Sequence, residues 1–116
     1  MIKYTRLYTG PDGESHFEDV EFPLKDNLDF GPKLGQTSER MKVEEVFFWE
    51  MDGMSEWHTA PRRLLFIIID GEFIIEIKDG TKRRFGRGDI LLAEDTTGHG
   101  HLTRDINRKA LVVPLA

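Results

Sequence analysis

The stretch Leu64–Phe85, "LLFIIIDGEFIIEIKDGTKRRF", decides how this chain folds. It contains two Asp-Gly pairs, Asp70-Gly71 and Asp79-Gly80, each set between strand-like runs. Asp-Gly supplies the positive backbone angles that a two-residue hairpin turn needs, so each pair predicts a tight turn. Three antiparallel strands in succession are then expected, "LLFIII", "EFIIEIK" and "TKRRF". In the middle one Phe73, Ile75 and Ile77 alternate with Glu72, Ile74 and Glu76, giving one buried and one mixed face.

Strand signals continue on both sides of this core. "DILLA" at 89–93 and "ALVVPLA" at 110–116 read as strands, with Pro114 near an end where a missing ladder donor is tolerated. Upstream, "KVEEVFFWEMD" is a long apolar-rich strand, and "IKYTRLYTG" and "SHFEDVEFPL" make two more. Helical periodicity is nearly absent. Only "TSERMKVEEV", capped by Thr37 or Ser38, predicts a short helix of one or two turns. Residues 25–40, with the breakers Gly31, Pro32 and Gly35, are expected to form a loop wrapped over the barrel. Eight or so short strands with regular turns imply an all-β closed barrel or double-sheet jelly roll.

At 116 residues the chain is the size of one domain with one core. Charged residues at 32% against 39% hydrophobic are ordinary for a soluble globular protein and argue against disorder. A net charge of −5 from interspersed acids and bases gives no basic face for nucleic acid. The clusters Arg62-Arg63 and Lys82-Arg83-Arg84 are short and read as solvated strand residues. Without cysteine there is no disulfide, thiol nucleophile or thiolate metal site. The longest apolar run, Leu64–Ile69, is too short to cross a bilayer, and "MIKYTRLYTG" lacks the apolar core of a signal peptide, so a cytoplasmic protein is expected.

Two motifs resemble those of the cupin superfamily, in its small single-domain form. The family's first motif runs glycine, His-x-His, glutamate, glycine. Here Gly53 leads to His58, which opens "HTAPRRLLFIIIDG", and Gly71 closes it, while the second histidine falls on Ala60 and the glutamate on Leu64. The second motif is Pro-x-Gly, two residues, histidine, three residues, asparagine. "TTGHGHLTRD" matches it as Thr96, Gly98, His101 and Asp105, and Gly86-Arg87-Gly88-Asp89 resembles the turn before it. Counting from Gly88 without a gap puts the ligand histidine on His99. A two-residue insertion puts it on His101, the register preferred here. The resemblance covers residues 42–115 and implies a cupin-type jelly-roll barrel, or double-stranded β-helix. Residues 1–24 would pack on it as N-terminal strands, giving one domain over 1–116.

For function the resemblance implies a small-molecule pocket lined by His58 and His101 as candidate catalytic residues. Cupins typically hold a divalent metal (iron, manganese, nickel or zinc) with three histidines and a glutamate. Here a metal would have only His58, His99 and His101, since residues two apart on a strand share a face, with His16 as an alternative third ligand. Metal-free histidines serving as hydrogen-bonding pocket groups are the simpler expectation. Arg62 shares strand parity with His58 and would present a fork for an anion, unless Pro61 breaks the alternation. Trp57 and Trp49 would stack on a ring-bearing ligand or serve as core or dimer contacts. One of Glu94-Asp95 would orient the His101 imidazole, or the pair is a plain polar turn. No phosphate loop and no nucleophile elbow is present: Ser15, Ser38 and Ser55 all lack that context.

The first expectation is a monocupin binding an anionic or ring-containing metabolite, with histidine as general base for isomerisation, cyclisation or elimination. The alternatives are a metal-dependent dioxygenase or lyase, and a non-catalytic ligand sensor or scaffold. A homodimer is expected because "RLLFIII" carries apolar side chains on both faces.

Overall fold

The computed structural model describes residues 1–26 and 34–116. Nine strands account for the secondary structure among them, and no helix is present. They are β1 (Ile2–Thr9), β2 (Ser15–Phe22), β3 (Lys25–Asp26), β4 (Gln36–Thr37), β5 (Phe47–Gly53), β6 (Leu64–Glu76), β7 (Lys82–Gly86), β8 (Ile90–Ala93) and β9 (Leu102–Pro114). The main sheet runs β2-β1-β8-β6-β9-β5, with β7 also paired to β6. All its pairs are antiparallel except β1 with β8, so the sheet is mixed. Phe17 of β2 meets Phe85 of β7 at 6.4 Å between ring centroids, and Phe85 stacks on Phe73 of β6, so the sheet curls around one apolar core. No helix among the described residues is long and apolar enough to cross a membrane.

The two Asp-Gly pairs have different fates. Asp79-Gly80 does turn the chain, though through Lys78-Asp79-Gly80 and not through two residues: Ile77 N donates to Thr81 O and Gly80 N to Ile77 O, both at 3.0 Å, and Thr81 N donates to Asp79 Oδ1 at 2.8 Å. Asp70-Gly71 does not turn the chain. β6 runs straight through it, and the expected "LLFIII"–"EFIIEI" hairpin is one 13-residue strand. The extra residue there is a bulge: Ile68 pairs Ala110 and Asp70 pairs Lys109, leaving Ile69 unmatched. Gly71, at φ 75°, then lies against the partner strand so closely that a Cβ would sit 1.8 Å from Asn107 O. A positive-φ glycine serves a bulge as well as a turn, and continuous pairing of β6 with β9 selects the bulge.

The bulge also preserves the core. Leu64, Phe66 and Ile68 face inward at even positions, and Phe73, Ile75 and Ile77 face inward at odd ones. An uninterrupted strand of period two would turn one of these triplets to the outside. β9 carries the matching device. Glu72 pairs Asn107 and Ile74 pairs Arg104, so two β9 residues oppose Phe73 alone, and Asp105 there adopts φ 52°. Accordingly β9 faces inward at Thr103 and then at Ile106, Ala110 and Val112.

The helix expected after Thr37 or Ser38 is absent. Thr37 lies instead in β4, paired with β3, and residues 39–46 are exposed and contain no helix. Met41, Val43 and Val46 stay largely exposed, Val43 bridging Leu115 as an extended residue, and a helix of one or two turns is not stable without packing on one face. Strands β1, β2 and β8 form where expected. "ALVVPLA" is the end of a strand that begins at Leu102, and the "KVEEVFFWEMD" strand is confined to Phe47–Gly53, with an isolated Val43–Leu115 bridge before it. Part of the expected 25–40 loop, residues 27–33, lies outside the described residues.

Replacing Gly71 with Ala should cost about 2–4 kcal/mol, from a strained backbone and a clash with β9. Gly80→Ala, also at positive φ but with open space around it, should cost about 1 kcal/mol. Urea denaturation of both variants checks this, and equal losses would contradict the bulge.

Candidate functional site

The inward faces of β5, β6, β8 and β9, with the segment after β5, enclose a cavity of about 80 Å³. Its walls are Trp49, Met51, Phe66, Phe73, Ile75, Leu91, Ala93 and Ile106, and its polar groups are Ser55, His58, His101, Thr103 and Arg108. Without the β9 bulge, His101 and Thr103 would face away from Ile106 and Arg108.

His58 and His101 come from separate segments and meet. Their backbones form an isolated antiparallel bridge, with N–H···O bonds of 2.9 and 2.8 Å, and their rings lie 4.5 Å apart. The glycine before each histidine in "GHGH" has a physical role. Gly100, at φ 75°, passes so close to the His58 backbone that a Cβ would sit 2.0 Å from its carbonyl oxygen. Gly98, at φ 78°, does the same against Gly13 in the β1–β2 turn, 2.1 Å from its oxygen. Between them His99 points outward, and its Nδ1 pairs with Glu14 Oε1 at 2.5 Å.

Each pocket imidazole is tethered through Nδ1. His58 Nδ1–H donates to the Glu56 carbonyl at 2.7 Å; a carbonyl only accepts, so the proton is on Nδ1 and Nε2 keeps its lone pair. His101 Nδ1–H donates to Asp95 Oδ2 at 2.5 Å, and Ser15 Oγ–H donates to the same oxygen at 2.7 Å. Asp95, His101 and Ser15 are all buried, and Asp95 Oδ1 has no hydrogen-bond partner among the described residues. A carboxylate so placed fixes the orientation of the ring. The neighbouring Glu94 has a structural task, accepting from Arg6 Nε at 2.5 Å and Arg63 Nε at 2.7 Å. Burial alone would raise the Glu94 carboxyl, but these two guanidinium groups outweigh it and hold it below the ordinary carboxylate range.

Arg62 does not enter the pocket. Pro61 precedes the strand, and the Arg62 side chain pairs at the surface with Glu44 at 2.7 Å. The cavity's guanidinium is that of Arg108, 5% exposed and opposite Met51 in the β5–β9 ladder. Its signal was present as period-two alternation, Ile106-x-Arg108-x-Ala110-x-Val112, in which an arginine falls on the apolar face. Trp57 is exposed, with Lys78 Nζ 5.2 Å from its ring centroid, and Trp49 is the tryptophan that lines the cavity.

The three-histidine metal set is not assembled. His99 bonds Glu14 away from the pocket, His16 bonds Asp12, and Ala60 and Leu64 are buried in the apolar core. Among the described residues no group of three or more His, Cys, Asp and Glu converges as a metal site. Two imidazoles fall short of the three or four protein ligands that such metals usually take, so the residues do not fit the group.

No family model and no curated protein matches the chain. Among solved structures, protein NMB1881 from Neisseria meningitidis superposes on 66% of this chain and 84% of its own, with a TM-score of 0.51 and 14% identity. At that identity the likeness is one of fold.

The folded-state depression of Glu94 adds stability that is complete above its ordinary value of 4.5 and is lost as pH falls through the depressed value. Glu94→Gln should therefore be less stable than wild type at pH 7, with the gap closing in acid below 4.5. Urea midpoints at pH 7 and pH 3 test this, and an unchanged gap would contradict it.

Proposed function

We propose that this chain is a small single-domain cupin-type jelly roll whose pocket binds a small metabolite and moves a proton on it. The observation that carries the proposal is the His58–His101 pair, facing one cavity with each ring tethered through Nδ1. The fold assignment is supported by the curled mixed sheet, by the long bulged strands β6 and β9, and by the meeting of two motif histidines from distant segments.

In this reading His101 is the general base. Its Nε2 takes a proton from a carbon beside a carbonyl, and the C–H electron pair is delocalised into that carbonyl. The imidazolium so formed faces Asp95, which offsets its charge. Returning the proton to another carbon completes an isomerisation, and expelling a leaving group instead completes an elimination. His58 Nε2 is placed to hydrogen-bond the oxygen where charge develops when its ring is protonated, or to relay the proton. Nothing in this sequence of steps requires a metal.

The test is proton exchange in D2O, followed by proton NMR on a panel of small aldehydes, ketones and oxo acids. Catalysed exchange should appear with at least one, and His101→Gln should slow it by about 10²–10⁴-fold. An absence of exchange across the panel, or a variant as fast as wild type, would overturn the reading.

We further propose that the chain forms a homodimer, through β5 and not through the outer face of β6. On that face Leu65 is buried with Leu92 and Val113, and Ile67, Ile90 and Leu111 pack around them. Three consecutive exposed apolar side chains, Phe47, Phe48 and Trp49, lie instead on the edge strand β5. An apolar edge strand presents unpaired backbone groups that a second β5 would satisfy in antiparallel register. Light scattering should give twice the chain mass, and Phe48→Glu should halve it. A wild-type monomer would refute this.

A further inference from the structure

Among the described residues no carboxylate pairs with Arg108, a buried cation. Its guanidinium lies 4.6 Å from the Trp49 ring centroid, 5.3 Å from that of Phe73 and 5.5 Å from that of Phe66. Its hydrogen bonds are weak: Nη1 donates to Trp49 O at 3.4 Å and Nη2 to Met51 Sδ at 4.0 Å, while Nε has no acceptor. A guanidinium carries five N–H donors in one plane, so most of them are unmet. Aromatic faces offset part of the desolvation from above and below, but they offer no acceptor to the edges of the fork. Arg6, Arg62, Arg63, Arg83, Arg84 and Arg104 each have a carboxylate within 4.0 Å. Among the described residues Arg108 has none, although Glu50 and Asp70 line a depression it borders.

Leaving such a group unpaired is costly, and it persists where a ligand completes it. Burial pushes the Arg108 guanidinium below its ordinary value, in keeping with an environment that lacks a negative charge. The cavity around it is apolar on the sides, with Phe66, Ile75, Leu91 and Ile106, and polar at His58 and His101.

We infer that Arg108 is the receptor for a carboxylate, and that the pocket's ligand is a small monocarboxylate with a short apolar body. The planar fork matches a carboxylate in bidentate fashion, and a single fixed cation suits a single negative charge. The body then lies between the apolar walls, with its reactive end toward the imidazoles. This rests on the proton-transfer reading for the role of that end, though the carboxylate site stands on Arg108 alone.

Butyrate and its neutral isostere butyramide separate charge recognition from shape. In NMR titrations of the full chain, butyrate should shift the Arg108 Nε–H and Trp49 indole signals, and butyramide should bind about 10- to 100-fold more weakly, the worth of charge-assisted hydrogen bonds. Arg108→Met should bind butyrate no better than butyramide while melting at or above the wild-type temperature, since an apolar isostere removes a buried charge. His101→Gln should retain butyrate binding and lose only proton exchange. Equal binding of the two probes at the pocket would overturn the receptor and leave the histidine reading intact. A wild-type chain that binds butyrate but catalyses no exchange across the panel would do the reverse. If neither probe shifts a pocket signal, or if Arg108→Met unfolds and Arg108→Lys binds butyramide as well as butyrate, Arg108 is a structural cation and the inference fails.

Discussion

The structure depends on two extra residues placed where the long strands β6 and β9 pair. Side chains on a strand alternate between faces, so a regular β6 could not bury both Leu64, Phe66 and Ile68 and then Phe73 and Ile75. The unmatched Ile69 on β6 and the two-against-one step at Asp105 on β9 each shift parity once. Phe66 and Phe73 thereby share the interior, as do Thr103 and Arg108. Every polar group in the cavity except Ser55 and His58 reaches it through the β9 step. The glycine at 71 and the aspartate at 105 occupy the backbone region that other residues avoid, which ties local geometry to the composition of the site.

Polar groups are buried in this interior in two contrasting ways. Asp95 is fully enclosed, yet one of its oxygens accepts from both Ser15 and His101, so the anion is shared between the N-terminal hairpin and the loop after β8. That hairpin also holds the loop through Gly13, which accepts from His99 N, and Thr9, which donates to Thr97 O. The N-terminal strands thus position a pocket residue as well as covering the core. Arg108 lies among aromatic rings, with its donors largely unmet. A tethered imidazole and a guanidinium with unmet donors thus face one small cavity.

Much of the fold was legible in the sequence because alternation and turn chemistry are local. β1, β2 and β8 follow from their patterns, and Asp79-Gly80 turns the chain. Asp70-Gly71 misleads because positive φ is required by a hairpin and by a bulge alike; the choice is made by β9, whose pairing is not visible locally. The helix after Thr37 fails for the lack of packing on one face, which is also a tertiary fact. At the site, motif spacing points to His58 and His101, while Gly98 and Gly100 turn His99 outward, and Arg62 is held at the surface by its ion pair with Glu44. Arg108 could have been found from parity alone, but the β9 bulge separates it from the histidine motif and hides that they share a face.

The cross-strand register of β6 and β9 is therefore the measurement that reaches furthest. Backbone NOEs from a NOESY spectrum should place Ile68 opposite Ala110 and Asp70 opposite Lys109, then Glu72 opposite Asn107 and Ile74 opposite Arg104. An unbroken register, with Ile74 opposite Asp105, would put His101 and Arg108 on opposite faces and contradict the whole account of the pocket.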